Sequence, residues 1–141
     1  MKKYLSKIVL LLQIIAAFVA LGAIYIWAPV CNGLLTLANG NMAHMRCYYT
    51  AQSSSVLALV LVFAAIIAYL SSNDHRKVQW ITVLLGIMLI ANTIESGIGS
   101  GMCQKAEMAC QATAMWIKYA GILAIVSGLL DIGLNSPNPN K

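Results

Sequence analysis

Four long apolar runs, separated by short polar breaks, organise this chain. They lie at about Ile8–Val30, Ser54–Leu70, Val78–Ile98 and Ala112–Leu134, each close to the ~20 residues a helix needs to cross ~30 Å of hydrocarbon. Pro29 is expected to end the first helix just before Cys31, because the residue preceding a proline is pushed out of the helical region. Ser71-Ser72-Asn73-Asp74 breaks the second run from the third, with Asn73 or Asp74 placed to cap the third helix. Gly97, Gly99 and Gly101 end that helix. The pattern predicts an all-α integral membrane protein with one domain over residues 1–135, a bundle of four transmembrane helices. Residues 136–141, Ser-Pro-Asn-Pro-Asn-Lys, read as a disordered cytoplasmic tail.

Within this frame one phrase occurs twice. Met45-Arg46-Cys47-Tyr48-Tyr49-Thr50-Ala51 and Met108-Ala109-Cys110-Gln111-Ala112-Thr113-Ala114 both read Met-x-Cys-x-x-Thr-Ala, and each follows an earlier cysteine, Cys31 or Cys103. The phrase predicts a duplicated helical hairpin, with halves 8–70 and 78–134. Each half contributes two spans, so both halves have the same orientation and form parallel repeats about an axis along the membrane normal. Cys31 then corresponds to Cys103, and Cys47 to Cys110. Ala120, Ala124 and Gly128 recur every four residues, as do Ala64 and Ala68. Such stripes let helix backbones approach closely, either inside the bundle or against a partner membrane protein.

Composition sharpens the class. Sixty per cent of residues are hydrophobic and 9% charged, against about 25% charged in soluble domains, and the mean hydropathy is +0.80. Four spans leave no room for a soluble catalytic domain. Lys2, Lys3, Lys7, Arg76, Lys77 and Lys141 fall on one side of the four-span arrangement, with Arg46, Lys105 and Lys118 on the other. The excess of positive charge places both termini in the cytoplasm and the cysteine loops outside it. Trp27, Tyr48, Tyr49, Trp116 and Tyr119 mark the outer boundary, and Tyr4, Tyr69 and Trp80 the inner one. The first apolar stretch continues through Trp27, longer than a signal-peptide core of about 7–15 residues, and is read as uncleaved. No basic module suited to nucleic acid is present.

The candidate chemistry gathers in the outer loops. Four cysteines on an oxidising face favour two structural disulfides. Of the three pairings they allow, the duplication favours Cys31 with Cys47 and Cys103 with Cys110. A continuous helix would hold Cys103 and Cys110 ~10 Å apart, beyond the ~7 Å Cα limit for a bridge, so that bond demands a turning backbone. A second reading is a Cu(I) or haem-related site built from His44, Met45, Cys47, Met108 and Cys110, with Met42, Met102 and Cys103 nearby, since thioether, imidazole and thiolate suit soft metals. A third is a membrane thiol oxidoreductase, although the closest cysteine spacing leaves six residues between the sulfurs, unlike a Cys-x-x-Cys pair. The favoured reading needs no cofactor. Glu95 and Lys118 fall at similar depth on neighbouring helices and are candidates for an intramembrane ion pair or partner contact, and Lys118 is also long enough to snorkel outward. Asp131 is expected at the inner interface, pairing with Lys7, Arg76 or Lys77. Glu107 is expected to be exposed.

The pieces Pro29-Val30-Cys31, His44 through Ala51, Met102-Cys103 and Glu107 through Cys110 together resemble a bacterial family of small four-span membrane proteins, domain of unknown function 4418. The resemblance covers nearly the whole chain, with one departure: members often carry His directly after the cysteine, where this chain has Tyr48 and Gln111. Members tend to be encoded near ABC transporters of the macrolide-exporter permease type. The resemblance implies a non-enzymatic accessory subunit in the bacterial cytoplasmic membrane, bound to an ABC-type permease and to the lipid bilayer.

Overall fold

The computed structural model describes residues 2–31, 33–70, 75–94 and 109–134. Among them are four helices: α1 (Lys2–Gly22), α2 (Arg46–Leu70), α3 (His75–Thr93) and α4 (Ala109–Leu134). A π-helical turn, Ala23–Trp27, extends α1. Three segments are long and apolar enough to cross a membrane: Tyr4–Trp27, Arg46–Leu70 and Ala109–Leu134. The apolar part of α3, Lys77–Thr93, is shorter. Large side chains such as Phe18, Phe63, Leu84 and Leu130 are exposed along the helices, a surface suited to hydrocarbon rather than water.

Each helix packs on the next and α4 closes the ring against α1. Neighbours run antiparallel. Asn92, near the end of α3, reaches the first turns of α2, donating to the Thr50 carbonyl at 3.2 Å and to Ser53 Oγ and Ser54 Oγ at 2.7 and 2.9 Å. The end of α1 meets the start of α4 through Trp27 and Trp116, whose rings sit edge to face at 5.9 Å.

The small-residue stripes serve this internal packing. Ala64, Ala68, Ala120, Ala124 and Gly128 are all buried, and Ala20, Ala58 and Ala120 form one core cluster. α3 and α4 approach closely at a pair of facing glycines. A Cβ on Gly86 would lie 2.9 Å from the Gly121 carbonyl oxygen, and a Cβ on Gly121 would lie 2.9 Å from the Gly86 carbonyl oxygen. Larger side chains, Leu61, Leu89 and Ile117, fill the remaining interior.

Several boundaries depart from the expected ones. The second helix starts at Arg46 rather than near Ser54, so the polar run Gln52-Ser53-Ser54-Ser55 is helical. Its hydroxyls are accommodated by the helix itself: Ser53 Oγ bonds the Tyr49 and Thr50 carbonyls at 3.0 and 3.1 Å, and Ser55 Oγ the Gln52 carbonyl at 2.7 Å. The fourth begins at Ala109, three residues before Ala112. Pro29 does follow the end of the first helix, with Ala28 out of the helical region at φ −141° and ψ 58°.

The protein is also not purely helical. β1 (Leu34–Thr36) pairs antiparallel with β2 (Met42–His44), Leu35 opposite Ala43. Gly40, at φ +77°, supplies the left-handed turn residue, and the Asn39-Gly40 dipeptide that signals such a hairpin is plain in the sequence. The expected caps Asn73 and Asp74, the glycines at 97, 99 and 101, and the 136–141 tail lie outside the described residues.

Candidate functional site

The repeated phrase is the first turn of a helix in both copies. Cys47 and Thr50 face inward from α2, Cys110 and Thr113 from α4, and all four are fully buried. Each threonine hydroxyl bonds back one turn at 3.2 Å, Thr50 to the Arg46 carbonyl and Thr113 to that of Ala109. The likeness continues down both helices. Shifted by 63 positions, the ten buried positions of α2 fall on buried positions of α4 at nine; the exception is Ser55, whose counterpart Lys118 is exposed. The phrase is therefore an inward-facing, helix-starting unit, which explains why cysteine, threonine and a small residue recur at fixed spacing.

The cysteines do not pair within each loop. Cys31 and Cys110 carry free thiols, so neither the Cys31–Cys47 nor the Cys103–Cys110 bridge is formed. Packing of the end of α1 on the start of α4 decides this. Trp27 stacks edge-on against Trp116, the Thr113 hydroxyl reaches the Ala28 carbonyl, and Cys110 is a neighbour of Cys31. These contacts form one antiparallel register that sets Cys31 opposite Cys110. Cys110 is buried, while Cys31 is half-buried. Cys47 is not a free thiol, and its bonding partner lies outside the described residues, as does Cys103 itself.

An open cavity of about 430 Å³ adjoins this end of the bundle, lined by Ile24, Tyr25, Pro29, Val30, Tyr48, Ala51 and Gln52. Pro29 and Val30, the two residues before Cys31, are part of its lining.

Of the candidate soft-metal ligands, His44 is exposed and stacked on Tyr48, with ring centroids 4.4 Å apart. Met45 is half-buried and Met108 lies outside the described residues. Among the described residues no group of three or more His, Cys, Asp or Glu side chains is placed to hold a metal ion. Lys118 is exposed on the outer face of α4, where its ammonium can snorkel toward the interface; Glu95 and Glu107 lie outside the described residues. Asp131, in the last turn of α4, is buried within the bundle at 1% exposure.

The sequence reading also passed over polar residues that the bundle buries. Gln13 Nε2 donates to Gln79 Oε1 at 2.5 Å across the diagonal from α1 to α3, and both side chains are fully buried. Gln13 Oε1 and Gln79 Nε2 have no hydrogen-bond partner among the described residues. Thr82 and Ser127 are buried as well. The available signal was an amide isolated in an apolar run, since polar groups inside membrane helices usually bond across helices.

No curated protein and no solved structure matches the chain. A family match does exist and spans residues 13–134, from the middle of α1 to the end of α4. The chain thus belongs to the family described as a domain of unknown function, DUF4418.

Proposed function

We propose that this is a four-span protein of the bacterial cytoplasmic membrane that acts as an accessory subunit of an ABC-type transport complex. Two parallel hairpin repeats, 8–70 and 78–134, make up the bundle. The shared burial pattern of α2 and α4 supports that duplication. At 1.5 Å per residue the 19 residues of α3 extend about 28 Å, which suits a fourth span. Lys7 and Lys77 at one end, against the cysteines at the other, favour cytoplasmic termini and an extracytoplasmic cysteine end.

The observation that carries the docking role is the β1–β2 ribbon. All of β1 is exposed, and Leu34, Leu35, Leu37 and Met42 present apolar side chains at 53%, 52%, 49% and 70% exposure. A lone two-stranded ribbon is marginally stable in water, and contiguous exposed apolar residues mark interaction surfaces. The ribbon emerges beside the cysteine end, where an extracytoplasmic segment of a permease would meet it.

A photo-crosslinking residue at Leu35, introduced in cells and activated in intact membranes, tests the reading. The expected adduct is with an ABC-type permease, and Leu35→Asp removes that protein from a gentle detergent purification without unfolding the bundle. Adducts with lipid or with a second copy alone would overturn it.

A further inference from the structure

Beyond a docking role, the paired sulfurs can do chemistry. We propose that Cys31 and Cys110 form a thiol–disulfide exchange site, in which Cys31 attacks the disulfide of an extracytoplasmic partner and Cys110 resolves the mixed disulfide. Three features carry the inference. The two free thiols come from distant parts of the chain yet are neighbours, set opposite each other where the Thr113 hydroxyl meets the Ala28 carbonyl and Trp27 meets Trp116, giving in space the close pair that no Cys-x-x-Cys gives in sequence. Their accessibility differs: Cys31 is half-buried on a segment outside any helix or strand, beside the open cavity flanked by Pro29 and Val30, whereas Cys110 is fully buried in the first turn of α4. An incoming sulfur reaches Cys31 and not Cys110.

The third feature is that the surroundings hold the sulfurs together without a covalent bond. Trp27 with Trp116 and Thr113 with Ala28 fix the end of α1 on the start of α4. The pair can therefore pass between dithiol and disulfide without opening the bundle. A purely structural staple would be redundant here.

The exchange balances as follows. Cys31, as thiolate, attacks one sulfur of the partner disulfide; that S–S bond breaks, a mixed disulfide forms, and the released partner sulfur takes the proton Cys31 gave up. Cys110, deprotonated in turn, attacks Cys31 Sγ. The mixed bond breaks, the Cys31–Cys110 disulfide forms, and the second partner sulfur leaves as a thiol with the second proton. Two electrons and two protons pass from the pair to the partner disulfide, which is the oxidant, and the reverse reaction oxidises a partner dithiol.

The test uses the full chain in detergent with glutathione disulfide as the probe. After mild reduction and exposure to the probe, alkylation and peptide mapping are expected to show both thiols lost, a Cys31–Cys110 linkage, and two glutathione thiols released per chain. Cys110→Ser is expected to stop at one glutathione adduct on Cys31, and Cys31→Ser to leave Cys110 unmodified. Should either variant fail to fold, the wild-type chain still decides: under native conditions Cys31 is expected to be alkylated before Cys110. Formation of a disulfide that excess reduced glutathione cannot open under native conditions would overturn the proposal, as would adducts on Cys110 or two unreactive thiols.

Discussion

Replacing Gly121 by alanine puts the helix contact at the centre of the bundle to a quantitative test. The new methyl carbon would lie 2.7 Å from Ile90 Cγ1 and 2.9 Å from the Gly86 carbonyl oxygen. Ile90 can rotate away, but the carbonyl belongs to the backbone of α3. Restoring an ordinary contact of at least 3.4 Å means parting α3 and α4 by about 0.5 Å, the difference from 2.9 Å. Overpacking of this kind costs about 1–3 kcal/mol. Working against it, alanine gains about 1 kcal/mol over glycine in a helix interior. Gly133→Ala, where a Cβ meets nothing within 4 Å, is the uncrowded reference, and in the last turn of α4 it gains part of that helix preference. The measurement is the reversible unfolding free energy of both variants in mixed micelles, followed by far-UV circular dichroism as denaturing detergent is added. Gly121→Ala is expected to be less stable than Gly133→Ala by about 1–3 kcal/mol, roughly one to two powers of ten in the folding equilibrium. Equal stabilities would refute the claim that the two backbones touch at Gly86 and Gly121.

Three further outcomes are expected. Gln13→Leu alone strands the Gln79 amide in an apolar interior and should cost about 1–2 kcal/mol, whereas Gln13→Leu with Gln79→Leu recovers much of it; the same unfolding assay, run as a double-mutant cycle, reads the difference. Asn92→Ala removes the donor that ties α3 to Thr50, Ser53 and Ser54 and should lower stability by about 0.6–1.7 kcal/mol, with faster amide exchange in the first turns of α2. The parallel-repeat proposal predicts that the partner of Cys47 is Cys103, the counterpart of Cys31; peptide mapping without reductant that joins Cys47 to another cysteine would remove the symmetry argument.

The helices were legible because long apolar runs mark candidate membrane spans, and the likeness between the starts of α2 and α4 because cysteine and threonine recur there as a phrase. Helix starts were not. Gln52 and Ser53 fall outside the apolar run by polarity, but a serine hydroxyl can satisfy itself on the carbonyl three or four residues back, as Ser53 does, so polarity alone does not end a helix. The cysteine pairing was hidden for a different reason. Proximity along the chain favours Cys31 with Cys47, yet the choice is made by how the end of α1 seats against α4, through Trp27 on Trp116 and Thr113 on Ala28. That register is a property of packing between helices 80 or more residues apart, and no local pattern encodes it. The buried amides Gln13 and Gln79 were visible as isolated polar letters, but their meeting across the bundle diagonal follows only once the ring order of the helices is known.

The π-helical turn at Ala23–Trp27 does more than end α1. A π-turn takes one more residue than an α-turn, so it absorbs a residue that continuous α-helix would convert into a rotation of about 100° in everything after it. Winding the same residues as ordinary helix would turn Trp27 and the segment leading to Cys31 by that amount, away from Trp116 and Cys110. In a stretch of aliphatic and aromatic residues, far from any sulfur in composition, the extra residue keeps the facing of the cysteines.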